Sequence, residues 1–275
     1  MQVKVTRSNG IATVCLNRPE KLNALTPEMR EGLAQVFGQL GQEKEIKAII
    51  LTGAGRGFCG SGDVTSMGAF TPETARDRLK QAHRMIIAVA NIEKPVIAAV
   101  RGAVAGIGWS LALACDLVIA SETAKFIQVF RNVGLAPDGG TIYFLTQILG
   151  VQQAREIVYS ARPVPATEAR DLGLVINVVP DEQLEAAANE LAERFARGPA
   201  FAFGVTKKLF KSMSVPSLEA FLDSEAWAQE ACLMTADHRE GVSAFLEKRR
   251  PEFGAGTTER TAPPEGEPRT SISES

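Results

Sequence analysis

The chain has 275 residues, 30 Lys and Arg against 32 Asp and Glu, a formal net charge of −2 at neutral pH and 45% hydrophobic residues. That balance fits one large domain, or one domain with a smaller helical appendage, and gives no electrostatic reason to expect a nucleic-acid partner. No apolar run approaches the ~20 residues of a membrane span and Met1 opens no signal-like segment. The cysteines, Cys15, Cys59, Cys115 and Cys232, lack metal-ligand spacing, so a cytoplasmic protein with reduced thiols and no metal is expected.

Residues 3–5 and 11–16 read as strands joined by Arg7-Ser8-Asn9-Gly10, whose Asn-Gly pair favours a tight hairpin. Thr26-Pro27-Glu28 supplies an N-cap, a proline at the first helical position and an acid in the first turn, predicting a helix to residue 40. A strand follows over 46–51, then a helix over 71–90 opened by Thr71-Pro72-Glu73, and an apolar strand at residues 96–100. Residues 116–120 and 124–126 continue the strand pattern. Strands alternating with helices at this pitch predict right-handed crossovers and a largely parallel sheet. Beyond Asp138 the spacing turns helical, over 141–149, 151–160, 166–172 and 181–197 with a short strand at 174–179, and then over 201–213 and 217–246. From Gly254 the chain has almost nothing to bury, and a disordered tail over 254–275 is expected.

Two glycine-rich turns interrupt this pattern. Gly53-Ala54-Gly55-Arg56-Gly57-Phe58-Cys59-Gly60-Ser61-Gly62-Asp63 follows one strand, and Gly102-Ala103-Val104-Ala105-Gly106-Ile107-Gly108 follows another and leads into a buried helix around residues 111–114. Glycines at a strand-to-helix junction serve either close packing or an anion held by the first free N–H groups of the helix. Two such turns aimed at one point would place two backbone N–H groups as an oxyanion hole. Neither turn has the spacing of a nucleotide-binding loop.

Together with Asn17-Arg18-Pro19-Glu20-Lys21-Leu22-Asn23-Ala24-Leu25, Cys115-Asp116 and Gly134-Leu135-Ala136-Pro137-Asp138-Gly139-Gly140, these turns occur in the order and spacing of the crotonase, or enoyl-CoA hydratase/isomerase, superfamily, which the chain resembles over residues 3–253. The resemblance implies an α/β fold: a crotonase-like spiral of β-β-α units over 1–197 and a helical C-terminal region over 198–253 that mediates trimerisation, with trimers able to pair into hexamers. It implies an acyl-CoA thioester as substrate, so that CoA enters with the substrate and no separate cofactor is needed.

Carried over residue by residue, the resemblance puts the oxyanion-hole amides at Gly62 and Ile107. Loss of an α-proton from a thioester leaves an enolate on the oxygen these amides would hold, and one such donor is typically worth ~3 kcal/mol. Ser61 stands where the family usually has glycine. The two glutamates of the hydratases fall on Ser110 and Phe130, neither of which can act as a carboxylate base. Asp138 reads from pattern alone as a helix N-cap; the resemblance assigns it the aspartate of dienoyl-CoA and phenylacetate-pathway isomerases. An apolar pocket walled by Phe130 would raise its pKa. The implied reaction is isomerisation, from a 3-enoyl-CoA to a 2-enoyl-CoA or from an epoxyphenylacetyl-CoA to its oxepin. A hydratase with atypical acid and base groups and a non-catalytic binding protein of this fold are the alternatives.

Trp109 and Phe130 either shape the acyl pocket or belong to the core, and Asp63 either binds substrate or closes a turn. For CoA, the resemblance points to Lys21, Leu22, Ala24 and Gly60, and to Phe245 and Lys248, whose counterparts reach the CoA of a neighbouring subunit. His83 and His238 match no nucleophilic or metal arrangement and are read as surface or helix-packing residues.

Overall fold

The computed structural model describes residues 2–68, 70–198 and 236–251, together with isolated positions between 200 and 234. Strands β1 (Val3–Ser8) and β2 (Ile11–Leu16) form the expected hairpin, with Asn9 and Gly10 both at positive φ, 51° and 78°. Parallel to β2 run β3 (Ala48–Gly53), β4 (Val96–Val100), β6 (Leu117–Ser121) and β9 (Asn177–Val179), giving a six-stranded sheet in the order β1-β2-β3-β4-β6-β9.

Both faces of this sheet are apolar, and the two-residue period of a strand sorts the side chains between them. Val14, Leu16, Leu51, Ala98 and Val100 pack into one core with α1 (Pro27–Gln42) and α2 (Pro72–Asn91), through Phe37 and Leu40 of α1 and Met85, Ile86 and Val89 of α2. Ala48, Ile50, Ile97, Ala99 and Ile119 face the other way, onto Leu184, Ala188, Leu191 and Ala192 of α6 (Leu184–Ala196). Each large apolar side chain so buried contributes about 1.5–3 kcal/mol. The caps fall where the sequence places them: the Thr26 hydroxyl accepts from the Met29 amide at 3.2 Å, and Thr71 forms a capping box with Thr74.

A second, three-stranded sheet is built from β5 (Ala103–Ala105), β7 (Lys125–Ile127) and β8 (Val164–Pro165). Its presence corrects the expectation that the second glycine turn joins a strand directly to a helix. The chain leaves β4, crosses into the small sheet as β5, and only then enters α3 (Ile107–Leu113); it does the same through β6, β7 and α4 (Thr141–Ser160). The fold is therefore a β-β-α spiral, as the crotonase resemblance implies, and in these two units one strand lies in each sheet. Gly150, at φ 75° and ψ 166°, breaks α4 between the two helices read from the sequence. After α5 (Ala166–Asp171), the strand expected over 174–179 is paired only at β9, and the helix expected over 181–197 starts as a 3-10 turn at Asp181–Gln183.

The last described helix is α7 (Ala236–Leu246). The remainder of the helices expected over 201–213 and 217–246 lies largely outside the described residues, as do Cys232 and the tail. Asp116 of the Cys115-Asp116 pair ties this region to the sheet: its Oδ2 accepts from the Val96 amide and from Lys207 Nζ, both at 2.8 Å. Among the described residues no helix is long and apolar enough to cross a membrane.

Candidate active site

The two glycine turns meet because they pair. The Cys59 amide donates to the Ala103 carbonyl and the Ala105 amide to the Cys59 carbonyl, each at 2.9 Å, so the first turn joins the edge of the small sheet beside β5. A Cβ on Gly108 would meet Cys59 Cβ at 2.6 Å and Sγ at 2.7 Å, and one on Gly106 would meet Ser61 Oγ at 2.2 Å. Only glycine permits this interlock. Ser61, the departure from the family pattern, sits at φ 91°, a backbone conformation suited to glycine. Cys59 is fully buried, and burial pushes its thiol up to about 12, leaving it an inert packing group.

Beside the interlock lies a cavity of about 440 Å³. Gly62, Ile107 and Asp138 all line it, brought there from the first turn, the start of α3 and the loop before α4. Among the described residues neither the Gly62 nor the Ile107 amide has an acceptor, so both N–H groups are available to a ligand oxygen.

The position of Asp138 is set through its backbone. Its carbonyl accepts from the Thr141 amide at 3.3 Å and lies 3.1 Å from Ser110 Oγ and 2.9 Å from Thr141 Oγ1; of these two buried hydroxyls, which contact each other, one donates to its neighbour and the other to the carbonyl. Ser110, where the resemblance puts one of the two hydratase glutamates, is thus a clamp on the Asp138 loop. Phe130, in place of the other, is 6% exposed and walls the cavity.

The motif around Asn23 does structural work. Asn23 is fully buried; its Nδ2 donates to the Ala54 and Gly57 carbonyls at 3.0 and 2.8 Å, and its Oδ1 accepts from the Arg18 amide at 2.7 Å. This staples the segment to the first glycine turn and leaves Lys21, Leu22, Ala24 and Gly60 on the cavity lining. Asp63 also lines the cavity, but its oxygens are engaged: Oδ2 accepts from Arg18 Nη1 at 2.6 Å, and Oδ1 from the Thr65 amide and hydroxyl at 2.9 and 2.7 Å. Burial raises the Asp63 carboxyl, yet those hydrogen bonds outweigh it and hold the pKa below the ordinary value.

Trp109 requires a correction. It is fully buried, packs against Phe126 with ring centroids 5.3 Å apart, and is absent from the cavity lining, because the helical turn of α3 that points Ile107 at the cavity points Trp109 into the core. Phe245 and Lys248 do reach the cavity, but that of their own chain, with α7 lying over the 3-10 turn at Val129–Val133. A Cβ on Gly241 would fall 2.3 Å from Val133 Cα, and His238 Nδ1 lies 3.0 Å from the Val133 carbonyl. His238 and His83, 4% and 8% exposed, are buried helix-packing residues rather than surface ones.

Two site residues escaped the sequence reading. Arg30 of α1 is 2% exposed and lines the cavity, as does Arg78 of α2. Their Nη2 atoms would lie 3.0 and 3.5 Å from a Cβ on Gly62. Burial lowers the Arg30 pKa, opposed chiefly by attraction to Asp138. Burial and repulsion from Arg30 bring Arg78 down to about 10. The apolar surroundings expected for Asp138 therefore include two guanidiniums. Their sequence signal is a charge on an apolar stripe: Arg30 shares a helical face with Leu33 and Phe37, and Arg78 with Ala75 and Ala82.

The Enoyl-CoA hydratase/isomerase family model matches residues 6–256. The chain is 38% identical over 248 residues to a 1,2-epoxyphenylacetyl-CoA isomerase of Escherichia coli, covering 89% of this chain and 95% of that protein. It is 40% identical over 247 residues to a probable enoyl-CoA hydratase of Rhodobacter capsulatus, covering 90% and 95%. A solved enoyl-CoA hydratase from Mycobacterium avium subsp. paratuberculosis superposes with a TM-score of 0.85 at 34% identity, covering 92% of this chain and 98% of that one. On its spiral fold, its interlocked glycine turns and these likenesses, the chain belongs to the enoyl-CoA hydratase/isomerase family of the crotonase superfamily.

Proposed function

We propose that the protein is an enoyl-CoA isomerase that moves a 3-double bond to the 2-position through one carboxylate. The thioester oxygen accepts from the Gly62 and Ile107 amides. Asp138 takes a proton from C2, the electron pair delocalises through C1 onto the thioester oxygen and through C3 to C4, and the protonated Asp138 returns the proton to C4, leaving the double bond between C2 and C3. The observation that carries this reading is that Asp138 and Asp63 are the carboxylates on the described lining, Asp63 is engaged by Arg18 and Thr65, and the hydratase glutamate positions hold a clamp, Ser110, and an apolar wall, Phe130. Water held between two glutamates, as hydration needs, has no counterpart in this residue set.

CoA binding is assigned to Lys21, Leu22, Ala24 and Gly60 with Phe245 and Lys248, which share the lining. A second substrate, an epoxyphenylacetyl-CoA rearranged to its oxepin, is favoured by the 38% identity to the Escherichia coli isomerase. Self-association as a trimer or hexamer belongs to the proposal; the exposed Ile142, Ile148, Val151 and Tyr159 along α4 support it.

The test compares wild type with Asp138→Asn on a 3-enoyl-CoA, beside hydration of a 2-enoyl-CoA. Isomerisation falling by about 10³-fold in the variant, with negligible hydration by either protein, is expected. Hydration matching isomerisation, or an unimpaired variant, refutes the reading.

A further inference from the structure

We infer that Arg30 is a positioning residue of this site: its guanidinium, fixed behind the Gly62 turn, is the permanent counter-ion to the single negative charge that passes between Asp138 and the thioester oxygen. The inference rests on the proposed single-carboxylate reaction and adds the group that keeps its base ionised.

Packing does not account for a cation here. Arg30 is 2% exposed and shares the apolar face of α1 with Leu33 and Phe37. It ends the first turn of the helix, where the dipole disfavours positive charge. Its Nε and Nη1 have no hydrogen-bond partner among the described residues, and Nη2 reaches only the Leu25 carbonyl, at 3.4 Å. Each of these features costs stability.

The place it occupies is what the guanidinium gains. The Leu25 amide donates to the Ser61 carbonyl at 2.8 Å, and the Leu25 carbonyl accepts from the Asp63 amide at 3.1 Å, so Leu25 pairs with the very turn that carries the Gly62 donor. Arg30 Nη2 sits against that turn, 3.0 Å from where a Cβ on Gly62 would lie. Of the carboxylates acting on Arg30, Asp138 attracts it most, ahead of Asp63 and Glu28. The guanidinium therefore serves both ends of the proton transfer. Before the transfer the negative charge is on Asp138; afterwards it is on the enolate oxygen. The cavity holds one negative charge throughout, which apolar walls such as Phe130 and Leu135 penalise and a fixed cation relieves.

The other described charged groups on the lining are Lys21, Asp63, Arg78 and Lys248. Asp63 is paired with Arg18, and Lys21 and Lys248 lie in the segments assigned to CoA. Arg78, from α2, is only partly buried, so solvent screens its charge more than that of Arg30.

Infrared difference titration of the Asp138 carboxyl in the unliganded enzyme, with its band assigned by loss in Asp138→Asn, reads the charge coupling whether or not the proposed reaction is right. A cation favours the carboxylate, so its removal lets the carboxyl keep its proton to higher pH. Arg30→Met and Arg30→Gln should each raise the midpoint by about one pH unit or more, and Arg30→Lys by less than about half as much. With a 3-enoyl-CoA, the acid limb of kcat/KM should move up in step. Above that limb kcat should fall about 10- to 100-fold in the two neutral variants, KM should stay within about threefold, and Arg30→Lys should keep most of the rate.

An Asp138 midpoint unmoved in both neutral variants overturns the inference, and so does a loss of rate that Arg30→Lys shares in full. A shifted midpoint in a protein that isomerises no 3-enoyl thioester sinks the isomerase reading alone.

Discussion

The two walls of the cavity are built by different means. The glycine-turn wall is held by backbone: Cys59 pairs with Ala103 and Ala105, Gly108 sits on the Cys59 side chain, and every residue of α3 is buried. The opposite wall, α7 over residues 129–133, rests on the Gly241–Val133 approach and the His238 bond, and leaves Phe245 and Leu246 58% and 55% exposed. The first wall is tied to the small sheet by main-chain hydrogen bonds, whereas the second packs through side chains, so we expect it to open before the core does. Backbone donors thus come from the wall held by main-chain bonds, and the side chains assigned to CoA include those of the wall held by side-chain packing.

The contrast can be broken from either side. Gly108→Ala drives a methyl group into Cys59, and we expect it to destabilise the whole fold by about 3 kcal/mol, read as a lower midpoint in denaturant; a midpoint within error of wild type would show that the turns are not locked. Gly241→Ala pushes against the Val133 backbone. It should leave the global midpoint nearly unchanged while proteolysis within α7 accelerates about tenfold and KM for the CoA thioester rises. Equal losses in both measurements would make α7 part of the core.

Two smaller effects sharpen the comparison. Burial holds the His238 imidazole below its ordinary pKa of 6.5. The neutral form is thus favoured in the docked helix: its contribution is fully present above pH 6.5 and is lost as pH falls below it, because the undocked imidazole then takes up a proton that the docked one refuses. Hydrogen exchange of α7 should quicken between about pH 8 and about pH 5.5 relative to α3, after correction for intrinsic rates; a constant ratio would exclude His238. Ser61→Gly relaxes a serine at φ 91° and should stabilise the protein by about 1 kcal/mol, the smallest effect, checked by thermal unfolding.

Much of the scaffold was legible because its signals are local. Asn9-Gly10 can close only a short hairpin, Thr26-Pro27 and Thr71-Pro72 start helices by satisfying their own first amides, and Gly150 breaks α4 where the helical pattern pauses. The short strands β5 and β8 carried no such signal. Three residues or fewer show no period, and both are strands only because a partner lies alongside.

The candidate site divides the same way. Its motif residues, Gly62, Ile107 and Asp138, came from the family resemblance, which also puts the hydratase glutamate positions on Ser110 and Phe130; the sequence carried the family motifs and both glycine turns. Tertiary structure alone decided that Trp109 faces the core, that Asp63 is engaged by Arg18, that Ser110 grips the Asp138 carbonyl, and that Arg30 and Arg78 converge from two helices on one face of Gly62. The reason is physical: periodicity says which residues share a face of one element, whereas the direction in which that face looks, and the charge it meets there, depend on elements far away in the chain.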